Sequence, residues 1–181
     1  MRREARIVET AYGLPIKLVM MPGNAGFAAA NNAGASFAGS DRIVCVNPDV
    51  LPRDTGWARK HAALIDEAPA ERTRLFGSTL YYDDGSLMHA GMYLDLEKAV
   101  YGSEQRIETR ELLTVEHHGK GAPPGQSDLL ESRPVTAATG AFLSIARDWF
   151  ERLGGFSTDY VFGHYEDADL CLRSLRQGTP A

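Results

Sequence analysis

Two short apolar runs on either side of an alanine-rich segment constrain the fold of this chain most. KLVMM at residues 17–21 and RIVCV at residues 42–46 are bounded by Pro, Gly or Asn, a pattern typical of parallel strands that are covered on both faces. Between them, GFAAANNAGASFAG at residues 26–39 predicts a closely packed crossover helix, because its residues are small and it ends at Gly. Together they predict a strand-helix-strand unit and an α/β domain.

The rest of the chain continues this alternation. A helix is predicted over residues 57–65, followed by two strands joined by the tight turn DDG, since RLFGSTLYY and SLMHAGMYLD are rich in strand formers. VTAATGAFLSIA predicts an extended segment, and RDWFERL predicts a short helix that ends at Gly154 and Gly155. No repeat or linker interrupts the pattern, so residues 1–181 are predicted to form a single domain.

Composition excludes several classes of protein. The 181 residues are 44% apolar with a net charge of -5 and no long basic run, which argues against nucleic-acid binding. No apolar run reaches the roughly 18 residues of a membrane span, and MRREARIVET lacks the apolar core of a signal peptide. The prediction is a cytoplasmic protein without a membrane span. Cys45 and Cys171 both occur in apolar patterns, which predicts buried thiols rather than a disulfide.

The first candidate for chemistry is VCVNPDVLP at residues 44–52. An apolar strand that ends at Asn47, Pro48 and Asp49 would place a carboxylate at the edge of a parallel sheet, where open α/β folds bind ligands. Such an oxygen ligand suits Mg²⁺ or Mn²⁺ bridging to a diphosphate. The alternative is an ordinary turn, because Asn-Pro-Asp is also a common turn sequence.

The second candidate is YEDAD, at the start of a predicted helix. Glu166 and Asp167 occupy the first turn, where acids are favoured by the unpaired N–H groups of the backbone. Asp169 and Arg173 are i, i+4 neighbours, which predicts a salt bridge. This structural interpretation accounts for all three acids, but the preceding sequence FGHY is more typical of a pocket wall, so a catalytic carboxylate is the competing hypothesis.

Five motifs in order connect these signals to a known family. NAGFAAANNAG, VCVNPDV, YDDGSLMHAG, TGAFLSIARDWFERLGGF and YEDADLCLRSLRQG together resemble the family 2 glycosyltransferases of the GT-A fold, over residues 24–178. The resemblance implies a mixed, mainly parallel sheet flanked by helices, as in other nucleotide-diphospho-sugar transferases. It also implies transfer of a sugar from a nucleotide-sugar donor to a hydroxyl of a glycan or lipid-linked acceptor, in the synthesis of surface polysaccharide or glycan.

The resemblance also implies roles for individual residues. Asp49 would hold Mn²⁺ or Mg²⁺ on the donor diphosphate, and Asp167 would be the catalytic base with Glu166 as its neighbour. Thr139 and Gly140 would line the acceptor site. The residues implied to bind the donor and its nucleotide are Asn24, Gly26, Asn32, Asn47 and Asp49.

The mechanism implied is a single inverting displacement. Asp167 would take the proton of the acceptor hydroxyl as that hydroxyl attacks the anomeric carbon. The Gln-x-x-Arg-Trp element of processive members does not occur, which favours the transfer of one sugar at a time.

The sequence departs from the family pattern at both ends. It begins after the first strand and its acidic loop, and it stops before the further metal-binding histidine, so a truncated domain with an exposed sheet edge is predicted. Such an edge would allow a homo-oligomer. Two alternatives stay open: a non-catalytic binding or assembly fragment of a larger glycosyltransferase, and a metal-dependent nucleotidyl transferase. No role follows for His89, His117 and His118.

Overall fold

The computed structural model describes residues 2–69, 74–103, 106–125, 129–160 and 164–181. The helices are α1 Arg2–Tyr12, α2 Gly26–Phe37, α3 Trp57–Glu67, α4 Arg147–Leu153 and α5 Glu166–Arg176. The strands are β1 Arg42–Val46, β2 Leu75–Gly77, β3 Leu80–Tyr81, β4 Leu87–His89, β5 Met92–Ser103, β6 Arg106–His117 and β7 Phe142–Ala146.

The central sheet has three short strands in the order β1-β7-β2. Both outer strands run antiparallel to β7, with Val44 opposite Ser144 and Leu75 opposite Ile145. Every residue of β7 is buried, whereas β1 alternates buried and exposed residues. Strand β7 therefore forms the middle of the core, and one face of β1, with Val44 and Val46, is exposed.

Two antiparallel pairs complete the strands. The short pair β3-β4 turns at residues 83–85, where the Asp84 side chain accepts hydrogen bonds from the backbone N–H and the hydroxyl of Ser86. The long pair β5-β6 runs in continuous register from Met92 opposite His117 to the distal end of the hairpin. The end of this hairpin that holds Met92 and His117 lies beside β4, where His117 contacts His89.

The predicted mainly parallel sheet flanked by helices, of the GT-A type, is wrong. Every strand pair in the described part of the chain is antiparallel, and the strands form three small sheets rather than one. An apolar run reports burial but not the direction of its partner, and the partner of β1 is a strand about 100 residues later. The GT-A fold is therefore not the fold of this chain.

KLVMM, residues 17–21, is the element whose prediction failed most clearly. It forms neither a helix nor a strand, and four of its five residues are exposed. The helix predicted to follow it is confirmed as α2, and the helix predicted over residues 57–65 is confirmed as α3. The strand-helix-strand unit is thus reduced to α2 followed by β1.

Helix α4 packs on β7, and helices α4 and α5 contact each other. The Trp149 indole N–H donates to the Ser174 hydroxyl at 2.9 Å, and that hydroxyl donates to the Thr179 carbonyl at 2.7 Å. All three residues are buried, so each polar group has a partner where water is excluded. Helix α4 ends as predicted at Gly154 and Gly155, both with positive φ.

The outer face of α5 is as predicted from the i, i+4 spacing. Arg173 Nη2 lies 2.6 Å from Asp169 Oδ2, so the predicted salt bridge is confirmed. On its other face, the spacing of Ala168, Cys171, Leu172 and Leu175 predicts one apolar stripe. This prediction is only partly right, because Leu175 is exposed and Leu170 is fully buried instead.

The two thiols are free and buried, as predicted. Burial raises the pKa of Cys45 to about 11 and that of Cys171 to about 12, so both stay protonated at neutral pH. Among the helices described, none combines the length and the apolar character that a bilayer crossing requires.

Candidate functional site

A polar cavity of about 340 Å³ lies where the start of α5, the segment before β7 and the near end of the β5-β6 hairpin meet. Its wall combines carboxylates, imidazoles, a hydroxyl and aromatic rings, the composition of a site for a small polar ligand. The residues that line it are Phe27, Asn47, Met92, Val115, His117, Thr139, Gly140, Ala141, His164, Tyr165, Glu166, Asp167 and Ala168. The structure thus brings together five of the residues predicted from sequence: Asn47, Thr139, Gly140, Glu166 and Asp167.

The backbone is strained where α5 begins. His164 and Tyr165 have φ of 89° and 72°, and no other non-glycine residue in the described part of the chain has a positive φ. Two consecutive non-glycine residues with positive φ are uncommon, because a Cβ atom makes this backbone conformation unfavourable. Backbone strain of this kind is found most often at functional sites. The strained pair directly precedes Glu166 and itself borders the cavity.

Asp167 is anchored across the cavity wall. Its Oδ2 accepts a hydrogen bond from the backbone N–H of Gly140 at 2.8 Å, and its Oδ1 accepts one from the N–H of Ala168 at 2.8 Å. The side chain is half-buried, and a carboxylate oxygen has two lone pairs, so each oxygen can accept one more hydrogen bond. The carboxylate is held in place and still able to contact a ligand.

Glu166 is more deeply buried. The residue is 3% exposed, and its Oε1 has no hydrogen-bond partner among the described residues. A buried carboxylate oxygen without a partner is costly, and such costs are concentrated at functional sites. Although neighbouring helical residues point about 100° apart, both acids line this one cavity.

Gly140 is required for space rather than for backbone freedom. A Cβ placed on it would lie 2.6 Å from Phe27 Cζ and 3.4 Å from Asp167 Cβ. The glycine therefore allows the ring, the carboxylate and the backbone to come together. The neighbouring Thr139 hydroxyl accepts from the N–H of Ala141 at 3.3 Å.

His117, which lines the cavity, contacts the buried His89 behind it. His89 Nδ1 lies 2.9 Å from His117 Nδ1, and His89 Nε2 accepts from the N–H groups of Gly91 and Thr139 at 3.2 and 3.3 Å. Burial, together with His117 and His118, lowers the pKa of His89 to about 3. The two histidines occur in the motifs HAG and EHH, for which the sequence predicts no role.

Asp49 lies apart from these groups. It occupies the turn after β1, is exposed, and does not line the cavity, although Asn47 two residues earlier does. In the ranges that the structure describes, no three His, Cys, Asp or Glu residues are grouped as metal ligands. Asp49 could supply a single carboxylate, which is what Mg²⁺ often takes from a protein when phosphates provide other ligands.

The remaining predicted donor residues also lie outside the cavity wall. Asn24 is exposed, and its side-chain oxygen accepts from the N–H of Gly26, at the start of α2. The Asn32 amide holds Phe156 by two hydrogen bonds, one from Nδ2 to the carbonyl at 2.8 Å and one from the N–H to Oδ1 at 2.9 Å. Both polar atoms of Asn32 are therefore used within the protein.

The charge of the wall favours an uncharged ligand. Two carboxylates line the cavity, and none of its lining residues in the described ranges is Lys or Arg. A phosphate bound there without a cation would be repelled by Glu166 and Asp167. Hydroxyl groups can donate to the carboxylates and accept from N–H groups, so a sugar or another polyol fits this wall better.

Comparison with known proteins finds a relative in a bacterium. The chain is similar to "Uncharacterized protein y4gI" of Sinorhizobium fredii (strain NBRC 101917 / NGR234), with 28% identity over 157 residues and 84% of this chain covered. The chain spans about 15% of the length of that relative. No family model matches, and no solved structure matches.

Proposed function

We propose that this chain transfers a sugar from a nucleotide-sugar donor to a hydroxyl acceptor. One observation carries the proposal: Asp167, a half-buried carboxylate anchored to Gly140, lines a polar cavity beside the buried Glu166. A fixed carboxylate in contact with a ligand hydroxyl is the arrangement that a general base requires. The resemblance of the YEDAD and TGAF motifs to family 2 glycosyltransferases supports the same roles for these residues.

The residues around Asp167 have separate roles in this proposal. Asp167 accepts the proton of the acceptor hydroxyl as the hydroxyl oxygen attacks the anomeric carbon and the nucleoside diphosphate leaves. Thr139 and Gly140 shape the acceptor side of the cavity, and Glu166 accepts a hydrogen bond from the bound sugar. A ligand hydroxyl that reached Glu166 would give its Oε1 the partner that the described protein residues do not provide.

The diphosphate of the donor would bind outside the cavity that Glu166 and Asp167 line. Asp49 would supply one carboxylate oxygen to Mn²⁺ or Mg²⁺, and such an ion neutralises charge on a departing diphosphate. Its exposed turn directly follows Asn47, which borders the cavity, so a diphosphate bound at Asp49 would lie beside the sugar site. In calorimetric titration with uridine or thymidine diphosphate, Asp49→Asn should weaken Mn²⁺-dependent binding at least about tenfold, the loss of one charged ligand.

The proposal is tested by assaying nucleoside diphosphate release. The chain is incubated with uridine- and thymidine-diphospho-sugars, Mn²⁺ and a panel of methyl glycosides, and the parent is compared with Asp167→Asn. Acceptor-dependent release by the parent, reduced about a hundredfold or more in the variant, is expected. Equal release by both proteins, or none by the parent with any donor, contradicts the proposal.

A non-catalytic carbohydrate-binding module is the second candidate. This candidate is favoured by the two hydrogen bonds that Asp167 accepts from backbone N–H groups. A carboxylate with such partners can have a purely structural role. Binding of a methyl glycoside without any diphosphate release would select this function. The metal-dependent nucleotidyl transferase gains no support from the cavity, whose acids repel phosphate.

A further inference from the structure

His89 carries its proton on a defined nitrogen. Its Nε2 faces two backbone N–H groups, those of Gly91 and Thr139, and an N–H cannot accept a hydrogen bond. Nε2 must therefore be unprotonated, and a neutral imidazole then carries its proton on Nδ1. The residue is 1% exposed, and its pKa of about 3, lowered by burial and by His117 and His118, agrees with a neutral ring.

The proton on His89 Nδ1 determines where His117 carries its own proton. The two Nδ1 atoms are 2.9 Å apart, so one must donate and the other must accept. Because His89 Nδ1 carries the proton, His117 Nδ1 accepts, and the proton of a neutral His117 is on Nε2. A charged His117 would place two N–H groups against each other; burial and Lys120 lower its pKa, against the opposing effects of Asp167 and Glu116.

His117 Nε2–H lies on the ring edge opposite His89, and within the described part of the chain it has no hydrogen-bond partner. The ring lines the cavity together with Asp167. A donor and a carboxylate in one cavity can satisfy a single hydroxyl, whose oxygen accepts from the N–H and whose proton is donated to the carboxylate.

We propose that His117 is a ligand-binding residue that donates its Nε2–H to the acceptor hydroxyl engaged by Asp167, and that His89 is a positioning residue that fixes this proton. The identity of the ligand rests on the proposed function, whereas the protonation pattern does not. Because His117 is neutral, its N–H can orient a hydroxyl without adding a positive charge that would attract phosphate.

The protonation pattern is tested without any ligand by long-range ¹H–¹⁵N correlation spectra of the histidine-labelled chain at pH 7.5. The expected spectra place the proton of His89 on Nδ1 and that of His117 on Nε2. In His89→Met, whose side chain has no N–H to donate to His117 Nδ1, His117 should shift towards a mixture of tautomers. A His117 in the parent that is charged, or that carries its proton on Nδ1, overturns the proposal.

The contact with ligand is tested by acceptor kinetics. His117→Phe keeps a ring but removes the donor, so it should raise the KM for the acceptor about tenfold, the effect of one hydrogen bond, and leave the KM for the donor unchanged. His118→Phe is the matched control, because His118 stacks on Tyr93 and does not line the cavity. An unchanged acceptor KM in His117→Phe overturns the binding role. A parent without transferase activity counts against the proposed function instead, and the spectra still decide the protonation pattern.

Discussion

The carboxylate of Asp167 accepts a hydrogen bond from the backbone N–H of Gly140 at 2.8 Å, which joins the first turn of α5 to the segment before β7. The two residues are 27 positions apart in the sequence. The absence of a side chain on Gly140 lets Phe27 and Asp167 approach the same backbone. The cavity therefore depends on one glycine and one acid that belong to different motifs.

Replacing Asp167 by Asn separates its two roles. The amide oxygen can still accept from Gly140, but the side chain no longer takes up a proton, so the transfer rate should fall about a hundredfold or more. Loss of the second backbone hydrogen bond should lower the free energy of unfolding by only about 1 kcal/mol. The rate is measured by diphosphate release and the stability by urea unfolding.

Asp169→Asn is the matched control for that variant. It changes an acid two positions later whose partner is Arg173, away from the cavity. The transfer rate should be unchanged, and stability should fall by no more than about 1 kcal/mol. A loss of rate equal to that of Asp167→Asn would mean that both substitutions act through the helix rather than through a base.

Gly140→Ala should destabilise the protein through overpacking. The added methyl group would lie 2.6 Å from the Phe27 ring, so the free energy of unfolding should fall by about 1 to 3 kcal/mol. Gly34→Ala is the control, because nothing lies within 4 Å of its added Cβ and alanine favours a helix. Combining Gly140→Ala with Phe27→Leu should cost less than the sum of the two; strict additivity would exclude the ring as the source of strain.

The local elements of this fold are readable from the sequence. Helix α4 ends at Gly154 and Gly155, which have the positive φ that glycine adopts at helix ends. The pairing of Asp169 with Arg173 follows from a four-residue spacing. Each of these features depends on neighbours in the chain, so a pattern of a few residues is enough to predict it.

Partners that are distant in the sequence are not readable in this way. The run RIVCV indicates a strand but not that β7 pairs with it antiparallel, and that direction decides the fold. Likewise, His89 and His117 meet only because β5 and β6 pair as a long hairpin. The acid and the glycine of the cavity were found from motifs, but their hydrogen bond depends on packing that no motif encodes.

Asn32→Ala tests whether the Asn32 amide stabilises the folded protein or binds the nucleotide. Its loss would leave both the N–H and the carbonyl of Phe156 without their partner, so stability should fall by about 2 to 3 kcal/mol. Asn31→Ala, which loses one hydrogen bond to the Phe27 carbonyl within α2, should change stability by less than about 1 kcal/mol. Calorimetric affinity for uridine diphosphate should be the same in both variants; weaker binding only in Asn32→Ala would restore its predicted role at the nucleotide.

Acid should destabilise the protein through His89. The ordinary histidine pKa is about 6.5, and burial with the neighbouring His117 and His118 lowers that of His89 to about 3 in the folded state. Between these values the unfolded chain binds a proton at this residue and the folded chain does not. The free energy of unfolding should therefore fall as the pH falls from about 6.5, by up to about 1.4 kcal/mol per pH unit for this group alone.

Urea unfolding of the parent and His89→Gln at pH 7.5, 6.0 and 5.0 measures the effect. The variant should show the shallower dependence, and parallel curves would mean that His89 does not remain neutral on folding.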